Sequence, residues 1–391
     1  MNLIPSVELL AQSCANYAPV TRATGITYNS IAGSGPSYFT WRNTTLNQND
    51  DNRSYPIPIG FDFWYLGVRY TQISGSLNGT LDFSVSTSDG NNGGAGPYGP
   101  NYNNLFSTAN QTMLALAPLY ADLWTANAGT VPIATSLAYQ VSGSAPNQVL
   151  TVEWINFDVW NTPVNSPPAS INMQVKIYET TGAIEFIYGT MTAGASGGGS
   201  YPLRYACGIN NTWTTGAPNA AQLLTQQTVN TTTFSNIPQN ALVALPASNS
   251  KLSFTPPLPT AAPSGLTFTA ISQSGMTLNW TDNASNEVGY AVYNSTDNVN
   301  FNFVFQTAAG ATSTAVTGLL SGTTYYWKVY AVTDGALSPA LTGSRATITC
   351  GNNYFDCYGQ LERNNYLELW MYPGGWRQCD YRERYHRNPE C

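Results

Sequence analysis

Apolar and polar residues alternate with a period of two along most of the chain, and no long stretch follows the 3.6-residue period of a helix. The clearest case is INMQVKIYETTGAIEFIYG, residues 171–189, where two alternating runs flank the turn sequence TTG. This pattern predicts a β-hairpin. With Tyr178 facing Ala183, Lys176 lies opposite Glu185 on the polar face, where the pair would fix the strand register.

Similar alternation predicts strands in IPIGFDFWYLGVRYTQI, TLDFSVS and QVLTVEWINFDVW, separated by glycine-rich loops. We therefore expect an all-β fold with two sandwich-type domains and a small C-terminal module. The first domain, with an N-terminal arm, is predicted to span residues 1–254. A proline-rich linker at 255–264 is expected to be extended and stiff. A second β domain follows at 265–349, and a cysteine- and aromatic-rich tail at 350–391.

The second β domain contains PSGLTFTAISQSGMTLNW, then EVGYAVYNSTDNVNFNFV, then LSGTTYYWKVYAV. In the order of these segments, residues 263–348 resemble a fibronectin type III domain. The resemblance implies that Trp280 is the core tryptophan and that Tyr326 is the tyrosine of the corner. The penultimate strand of the family would then carry Leu320, Tyr326, Lys328, Tyr330 and Val332.

The first domain contains IPIGFDFWYLGVRYTQI, LNGTLDF, LALAPLYADLW, an EW strand and NMQVKIYETTGAIEFIYG, in that order. With this order, residues 25–254 resemble the nidogen-like domains of large secreted and surface proteins. The chain departs from that pattern at SGSLN, where a polar S-x-N-G strand is expected. Both resemblances imply display, adhesion or assembly outside the cell, and neither fixes a reaction.

Composition narrows the classes of partner. Only 9% of residues are charged, the pI is about 4.6, and the lysines are Lys176, Lys251 and Lys328. No basic stripe is available for a phosphate backbone, so nucleic acid is not an expected partner. No apolar run is long enough to span a bilayer. The six cysteines favour an oxidising compartment, and we expect an extracellular or cell-surface protein.

Catalytic chemistry has few candidates. His386, the one histidine, lies in the charged tail, and GASGG at 194–198 matches the nucleophile-elbow pattern without a helix after it. A glycosidase would need a pair of carboxylates. The candidates in the first domain are Asp62, Asp82, Asp122, Glu153 and Asp158. The alternative is that these acids point outward between inward aromatic residues or cap loops through their carboxylates, and we expect a protein that is not an enzyme.

Two kinds of binding site are open. The loop NQNDDNRS places Asp50 and Asp51 among oxygen ligands that could hold a structural calcium ion, although it lacks EF-hand spacing. No other cofactor or metal is expected. Tyr98, Tyr102 and Trp213 on predicted loops could stack on sugar rings, which would make the protein a carbohydrate-binding module.

The tail cysteines Cys350, Cys357, Cys379 and Cys391 do not follow the paired spacing of structural zinc sites. We expect two disulfides that staple a module too small to be stable by burial alone, with three connectivities available. A zinc site formed by three of these thiolates and His386 remains the alternative.

Cys14 and Cys207 can pair with each other, or Cys14 or a tail cysteine can bridge to a neighbouring molecule. The apolar arm NLIPSVELL is suited to adding a strand to a sheet edge of the next subunit, and such head-to-tail contacts build fibres. Together these features predict a surface or fibre-forming subunit that forms homo-oligomers through its arm and tail. The alternatives are a secreted carbohydrate-binding protein and a viral fibre or surface protein. The Asn-x-Ser/Thr triplets at Asn43, Asn78 and Asn230 are either glycan acceptors or a result of composition.

Overall fold

The computed structural model describes residues 13–42, 52–83, 114–125, 136–159, 170–192, 204–211, 222–239 and 242–349, and the backbone of 354–355 and 361–362. The chain forms two compact units. The first contains the residues up to Ala261 together with the short segments Ala284–Gly289 and Ala331–Ser338. The second contains Ala262–Asn283, Tyr290–Tyr330 and the residues from Pro339 onward. The predicted boundaries at 254, 264 and 349 stay predictions.

The first unit begins with a 3-10 helix at Cys14–Tyr17. Its strands are β1 (Thr21–Thr24), β2 (Ser37–Tyr38), β3 (Ile57–Tyr65), β4 (Val68–Ser76), β5 (Thr80–Asp82), β6 (Ala115–Tyr120), β7 (Leu123–Trp124), β8 (Leu137–Ser142), β9 (Val149–Val159), β10 (Ser170–Tyr178), β11 (Ile184–Thr192), β12 (Ala206–Asn210), β13 (Leu223–Gln226), β14 (Phe234–Ser235) and β15 (Ser250–Phe254). The prediction of an all-β fold is confirmed.

These strands form two antiparallel sheets. The eight-stranded sheet has the order β1-β15-β11-β10-β9-β8-β2, with β7 paired to β9, and the seven-stranded sheet has the order β14-β13-β12-β6-β5-β4-β3. One apolar core joins them. The Trp154 indole on β9 donates to the Ser76 carbonyl on β4 at 2.9 Å, and the Tyr188 hydroxyl on β11 donates to the Pro118 carbonyl on β6 at 2.8 Å. Each buried ring therefore satisfies its polar group on the opposite sheet.

The predicted hairpin is confirmed as β10 and β11. Lys176 faces Glu185 in the ladder, and the Tyr178 amide donates to the Ala183 carbonyl at 3.1 Å. Gly182 closes the turn with a φ of +62°, a left-handed conformation that glycine adopts without steric cost.

The second unit contains β16 (Ser264–Thr269), β17 (Gly275–Thr281), β18 (Gly289–Ser295), β19 (Asn302–Gln306), β20 (Ser313–Thr317), β21 (Thr324–Val332) and β22 (Leu341–Ala346). They form a three-stranded sheet, β16-β17-β20, and a four-stranded sheet, β19-β18-β21-β22. In the tail, β23 (Tyr354–Phe355) pairs with β24 (Leu361–Glu362).

The corner tyrosine of the second unit differs from the prediction by one position. Trp280 is buried, as predicted. On β21, however, Tyr325 points inward and Tyr326 is only half-buried. The Tyr325 hydroxyl accepts a hydrogen bond from the Leu320 amide at 2.9 Å, which is the bond expected of Tyr326. In a strand, a shift of one residue moves every side chain to the other face, so Trp327 and Val329 also face inward.

Candidate functional site

The most distinctive feature of the first unit is a segment that crosses one whole sheet. We call residues Thr21–Tyr38 the belt. At its start, β1 pairs with β15 at one edge of the eight-stranded sheet. At its end, β2 pairs with β8 at the opposite edge. The chain between β1 and β2 therefore passes over the face that points away from the core, which we call the outer face.

The path of the belt follows one row of side chains across the strands. The ladder pairings place Ala23 at one end of this row and Tyr38 at the other, with Lys251, Ile187, Gln174, Glu153 and Ala138 between them. Six strand spacings of about 4.8 Å give a width of about 29 Å. The fifteen residue steps from Ala23 to Tyr38 reach up to about 50 Å when extended. The belt therefore crosses the sheet with slack to spare.

Glu153 on β9 is the main polar anchor of the belt. Its side chain is fully buried. One carboxylate oxygen accepts a hydrogen bond from the Tyr28 hydroxyl at 2.7 Å, and the other accepts from the Ile31 amide at 2.7 Å. Both partners belong to the belt. Glu153, predicted as a catalytic candidate or an outward-pointing acid, points away from the core, but it is buried because the belt covers the face to which it points.

Tyr28 fits over a glycine. A Cβ atom added to Gly189 on β11 would lie 2.8 Å from two carbons of the Tyr28 ring, so a larger residue at 189 would displace the ring. Burial, followed by the negative charge of Glu153, raises the pKa of Tyr28 far above its ordinary value. The phenol therefore remains a hydrogen-bond donor to Glu153 throughout the neutral range.

Two amide side chains complete the attachment. Gln174, which lies opposite Glu153 in the ladder, donates to the Asn29 carbonyl at 2.8 Å. The Ser34 hydroxyl donates to the Gln140 side-chain oxygen on β8 at 3.0 Å. The belt is thus bonded in turn to β10, β9 and β8 as it crosses.

Burial along the belt is low. No residue from Thr21 to Tyr38 is buried, whereas the flanking Val20 and Phe39 are each only 3% exposed. The belt is therefore fixed by apolar anchors at its two ends and by polar contacts in between. Segments with few buried apolar contacts open at a lower free-energy cost than the core.

A second polar cluster lies beside the belt, around Glu185. Its carboxylate forms an ion pair with Lys251 and accepts from the Tyr178 hydroxyl at 2.7 Å and from the Ser253 hydroxyl at 3.2 Å. Lys176 lies opposite Glu185 in register, but the ion pair is with Lys251 on β15. Burial opposes ionisation of Glu185, yet the bonds from Lys251, Tyr178 and Ser253 outweigh it and hold its pKa below the ordinary value.

Two of the other predicted carboxylates are paired with arginines. Asp62 forms an ion pair with Arg69 at 2.6 Å, and the buried Asp82 forms one with Arg53 at 2.6 Å. Asp82 also accepts from the Leu114 amide at 3.1 Å. These contacts tie neighbouring strands and loops together.

The two remaining carboxylates flank β7. Asp158 is buried and accepts from the Val159 amide at 2.8 Å, and Asp122, just before β7, is half-buried. The Asn78 triplet is also internal, because its side-chain oxygen accepts from the Leu123 amide at 3.0 Å. Asn230 is exposed.

In this structure Cys14 and Cys207, which the sequence allows to pair with each other, are both free and fully buried. Burial raises the pKa of Cys207 to about 12, and its sulfur lies 3.5 Å from the Tyr188 hydroxyl. Burial likewise raises the pKa of Cys14, which contacts Tyr65. Each thiol thus has its own tyrosine partner. Its burial also leaves Cys14 inaccessible for the bridge to a neighbouring molecule that we considered.

Several predicted sites lie outside the described residues. They are the calcium candidates Asp50 and Asp51, the sugar-stacking candidates Tyr98, Tyr102 and Trp213, the GASGG motif, His386, the triplet at Asn43, the arm NLIPSVELL, and Cys350, Cys357, Cys379 and Cys391. In the described ranges, no three His, Cys, Asp or Glu side chains come together as metal ligands. In the same part of the chain, no helix has the length and apolar character needed to cross a membrane.

The second unit carries a partly exposed aromatic cluster on its four-stranded sheet. The Tyr293 ring packs edge-on against Phe303 and Tyr330, with ring centroids 5.5 and 5.6 Å apart. The Lys328 ammonium lies 3.9 Å from the centre of the Phe301 ring, a cation–π contact. The side chains in these contacts, those of Tyr293, Phe303, Tyr330, Lys328 and Phe301, are all half-buried. On this face they pack against one another.

The belt and its anchors were not predicted from the sequence. One signal was available: Glu153, Gln174 and Gln140 all occupy polar positions of strands. Long polar residues at neighbouring positions on one face indicate a covered face only when the strand register is already known. Tyr28 carries no comparable signal, because it lies outside any alternating run.

Comparisons with known proteins agree with this architecture. A family model described as NIDO related matches residues 16–256, and the fibronectin type III domain model matches residues 261–344. Both predicted resemblances are confirmed. No curated protein matches the chain.

Among solved structures, an FN3 domain of human collagen XX is 24% identical, with a TM-score of 0.21 over 24% of this chain and 97% of that chain. The fn3 domain of human contactin 1 is 19% identical, with a TM-score of 0.23 over 25% of this chain and 84% of that chain. A structure named FN3tt is 24% identical, with a TM-score of 0.22 over 24% of this chain and 99% of that chain.

Proposed function

This chain belongs to the NIDO-related family, and from that premise we propose that it is an extracellular structural or adhesive protein that acts through protein–protein contacts. Domains of this type and fibronectin type III domains are typical of such proteins. The finer proposal is a cell-surface or fibre-forming subunit whose copies associate with one another. It requires no enzymatic activity and no cofactor.

The observation that supports the proposal is that the carboxylates of the first unit bond to neighbouring strands and to the belt. Glu153, Glu185, Asp62 and Asp82 each bond to strands or to the belt. A hydrolytic pair would need two carboxylates directed at one open site. Here the acids serve to hold sheets and their covering segment in place, which is the use expected in a structural module.

The low charge of the chain supports self-association. Only 9% of the residues are charged, and the net charge is −7 over 391 residues, so few charges oppose the approach of one copy to another. Sheet edges and loops supply the contact surfaces of such proteins. The expected partners are therefore other copies of this chain and other surface proteins.

The test is the state of association of the purified full chain. We expect light scattering after size-exclusion chromatography to give masses above 42.1 kDa that rise with protein concentration, and electron microscopy to reveal regular assemblies. Non-reducing gels would separate covalent from non-covalent association, because reductant collapses only a covalent ladder. A monomer at every concentration, with no assemblies, would contradict the fibre-forming subunit.

A carbohydrate-binding function predicts a different result. It would give glycan-array binding that Tyr98→Ala or Trp213→Ala abolishes, by a protein that stays monomeric. Binding of that kind without self-association would replace the structural proposal with the carbohydrate-binding one.

A further inference from the structure

We propose that the outer face of the eight-stranded sheet is a binding site for the belt of a second copy of this chain, so that copies are joined by belt exchange. The inference rests on the proposed self-association and identifies the surface and the partner. The site is defined by β15 and β8 at its two edges and by Glu153, Gln174 and Gly189 between them.

The first argument is that the belt contacts the sheet as a separate peptide would. Its bonds to Glu153 join residues 122 and 125 positions apart, and its bond from Gln174 joins residues 145 positions apart. Because no local chain geometry is needed for these contacts, a belt from another copy can make the same set. Exchange of an identical element between copies is a low-cost route to oligomers.

The second argument is that the belt can come away without unfolding the sheet beneath it. The five strands from β15 to β8 keep their own ladders when the belt leaves. The belt itself adds only a four-residue and a two-residue strand, and it buries none of its own residues from Thr21 to Tyr38. Its opening requires Val20 and Phe39 to leave the core at its two ends, but between these anchors it breaks mainly polar contacts and therefore costs less than opening the core.

The third argument is that the uncovered face favours a second belt over other occupants. Opening exposes Glu153 and Gln174, which are otherwise buried, together with two unpaired strand edges. An occupant must pair with both edges, which lie four strand spacings or about 19 Å apart, place two donors on Glu153 and present an acceptor to Gln174. The belt of another copy meets all of these requirements, because it carries the same groups in the same order.

The test uses two chains that each carry one new cysteine. Thr21 on β1 lies directly opposite Ser253 on β15, and residues opposite each other in a ladder are close enough for a disulfide with small adjustments. One tagged chain carries Thr21→Cys, and a differently tagged chain carries Ser253→Cys. When they are co-expressed, a bridge between positions 21 and 253 can form only if one chain's belt lies on the other chain's sheet.

The matched control replaces the second chain with Thr296→Cys, an exposed position in the second unit. We expect the heterodimer bridged at 21 and 253 to form about 100-fold or more faster than the control pair. The reason is that docking raises the effective thiol concentration from micromolar to millimolar. Peptide mapping of the bridge excludes a contribution from the native cysteines.

A second pair at the other edge controls for a local folding defect. Tyr38 lies opposite Ala138, so Tyr38→Cys and Ala138→Cys on separate chains must also form the bridge. The proposal of belt exchange is contradicted by the following pair of results. Both cysteine pairs on separate chains form bridges no faster than the control pair, and the same two cysteines on one chain form an internal bridge in a monomer. If the chain still assembles in that case, only belt exchange fails. If it is monomeric as well, the proposed self-association fails with it.

Discussion

The bond between Tyr28 and Glu153 gives the sharpest test of the belt. Tyr28→Phe removes the hydroxyl and keeps the ring over Gly189, so packing changes little. The lost bond is 2.7 Å long and runs to a fully buried carboxylate. Hydrogen bonds to charged groups contribute about 1.5–3 kcal/mol, and we take about 1.5–2 kcal/mol because the Tyr28 side is partly exposed.

The measurement is native-state hydrogen exchange at the Ile31 amide, which donates to the other oxygen of Glu153. If the belt opens as one segment, a loss of about 1.5–2 kcal/mol speeds this exchange by about 10- to 30-fold. Amides in the core of β10 should be unaffected. The control is Tyr38→Phe, which removes a hydroxyl from an exposed belt residue. Unchanged exchange at Ile31 in Tyr28→Phe would mean that this bond does not hold the belt, and the reasoning would be refuted.

Three further predictions test other contacts. Gly189→Ala should speed hydrogen exchange of the belt amides, because the added methyl group would collide with the Tyr28 ring. The control is Gly33→Ala, where an added Cβ atom would have no neighbour within 4 Å, and this change should leave the exchange unaltered. The pKa of Glu185 in the folded state lies below its ordinary value of 4.5. Its contribution to stability is therefore complete above pH 4.5 and is lost as the pH falls through the lowered pKa. Urea titrations should show that acid lowers the unfolding free energy less in Glu185→Gln than in the unchanged chain, and an equal decrease would contradict the lowered pKa. Tyr325→Phe should lower the unfolding free energy of the second unit by about 1 kcal/mol, whereas Tyr326→Phe should change it by less than about 0.5 kcal/mol; equal effects in chemical denaturation would argue against the corner assignment.

The period-two pattern was sufficient to predict an all-β fold and the hairpin of β10 and β11. Residues 171–189 alternate cleanly on both sides of a three-residue turn, so the sequence alone places Lys176 opposite Glu185. Alternation identifies which residues share a face, and a tight turn fixes the register. Where both conditions hold, local sequence determines the pairing.

The resemblance to the fibronectin type III family implied the wrong corner tyrosine where aromatic residues occur side by side. In TTYYWKVYAV, Tyr325, Tyr326 and Trp327 are all large and can each face the core, so the pattern does not select the inward face. The structure selects Tyr325 through its bond with the Leu320 amide. That bond depends on the path of the preceding turn, which the alternation of the strand does not encode.

The ion pairs were beyond sequence reasoning for a related reason. Glu185 lies opposite Lys176 on β10 and opposite Ser253 on β15, and its ion-pair partner Lys251 is two residues before that serine. The sequence offers no way to know that β15 lies beside β11, because the pairing of strands distant in sequence depends on the packing of the whole unit. The positions of Cys14 and Cys207 in the core were beyond sequence reasoning for the same reason, because counting cysteines indicates a compartment and does not show which thiols are buried.

The belt also bears on how a chain with few charged residues protects the edges of its sheets. A sheet edge presents unpaired amides and carbonyls, and many proteins protect such edges with charged residues, lysine above all. This chain has few charges to use, with 9% of its residues charged, and the strands at both edges of its largest sheet, β1 and β2, are short and belong to one continuous segment. Protection by a segment differs from protection by charge, because a segment can open and close. In the proposed exchange, opening of the belt frees the sides of β15 and β8 that pair with β1 and β2, and the belt of another copy pairs with them instead.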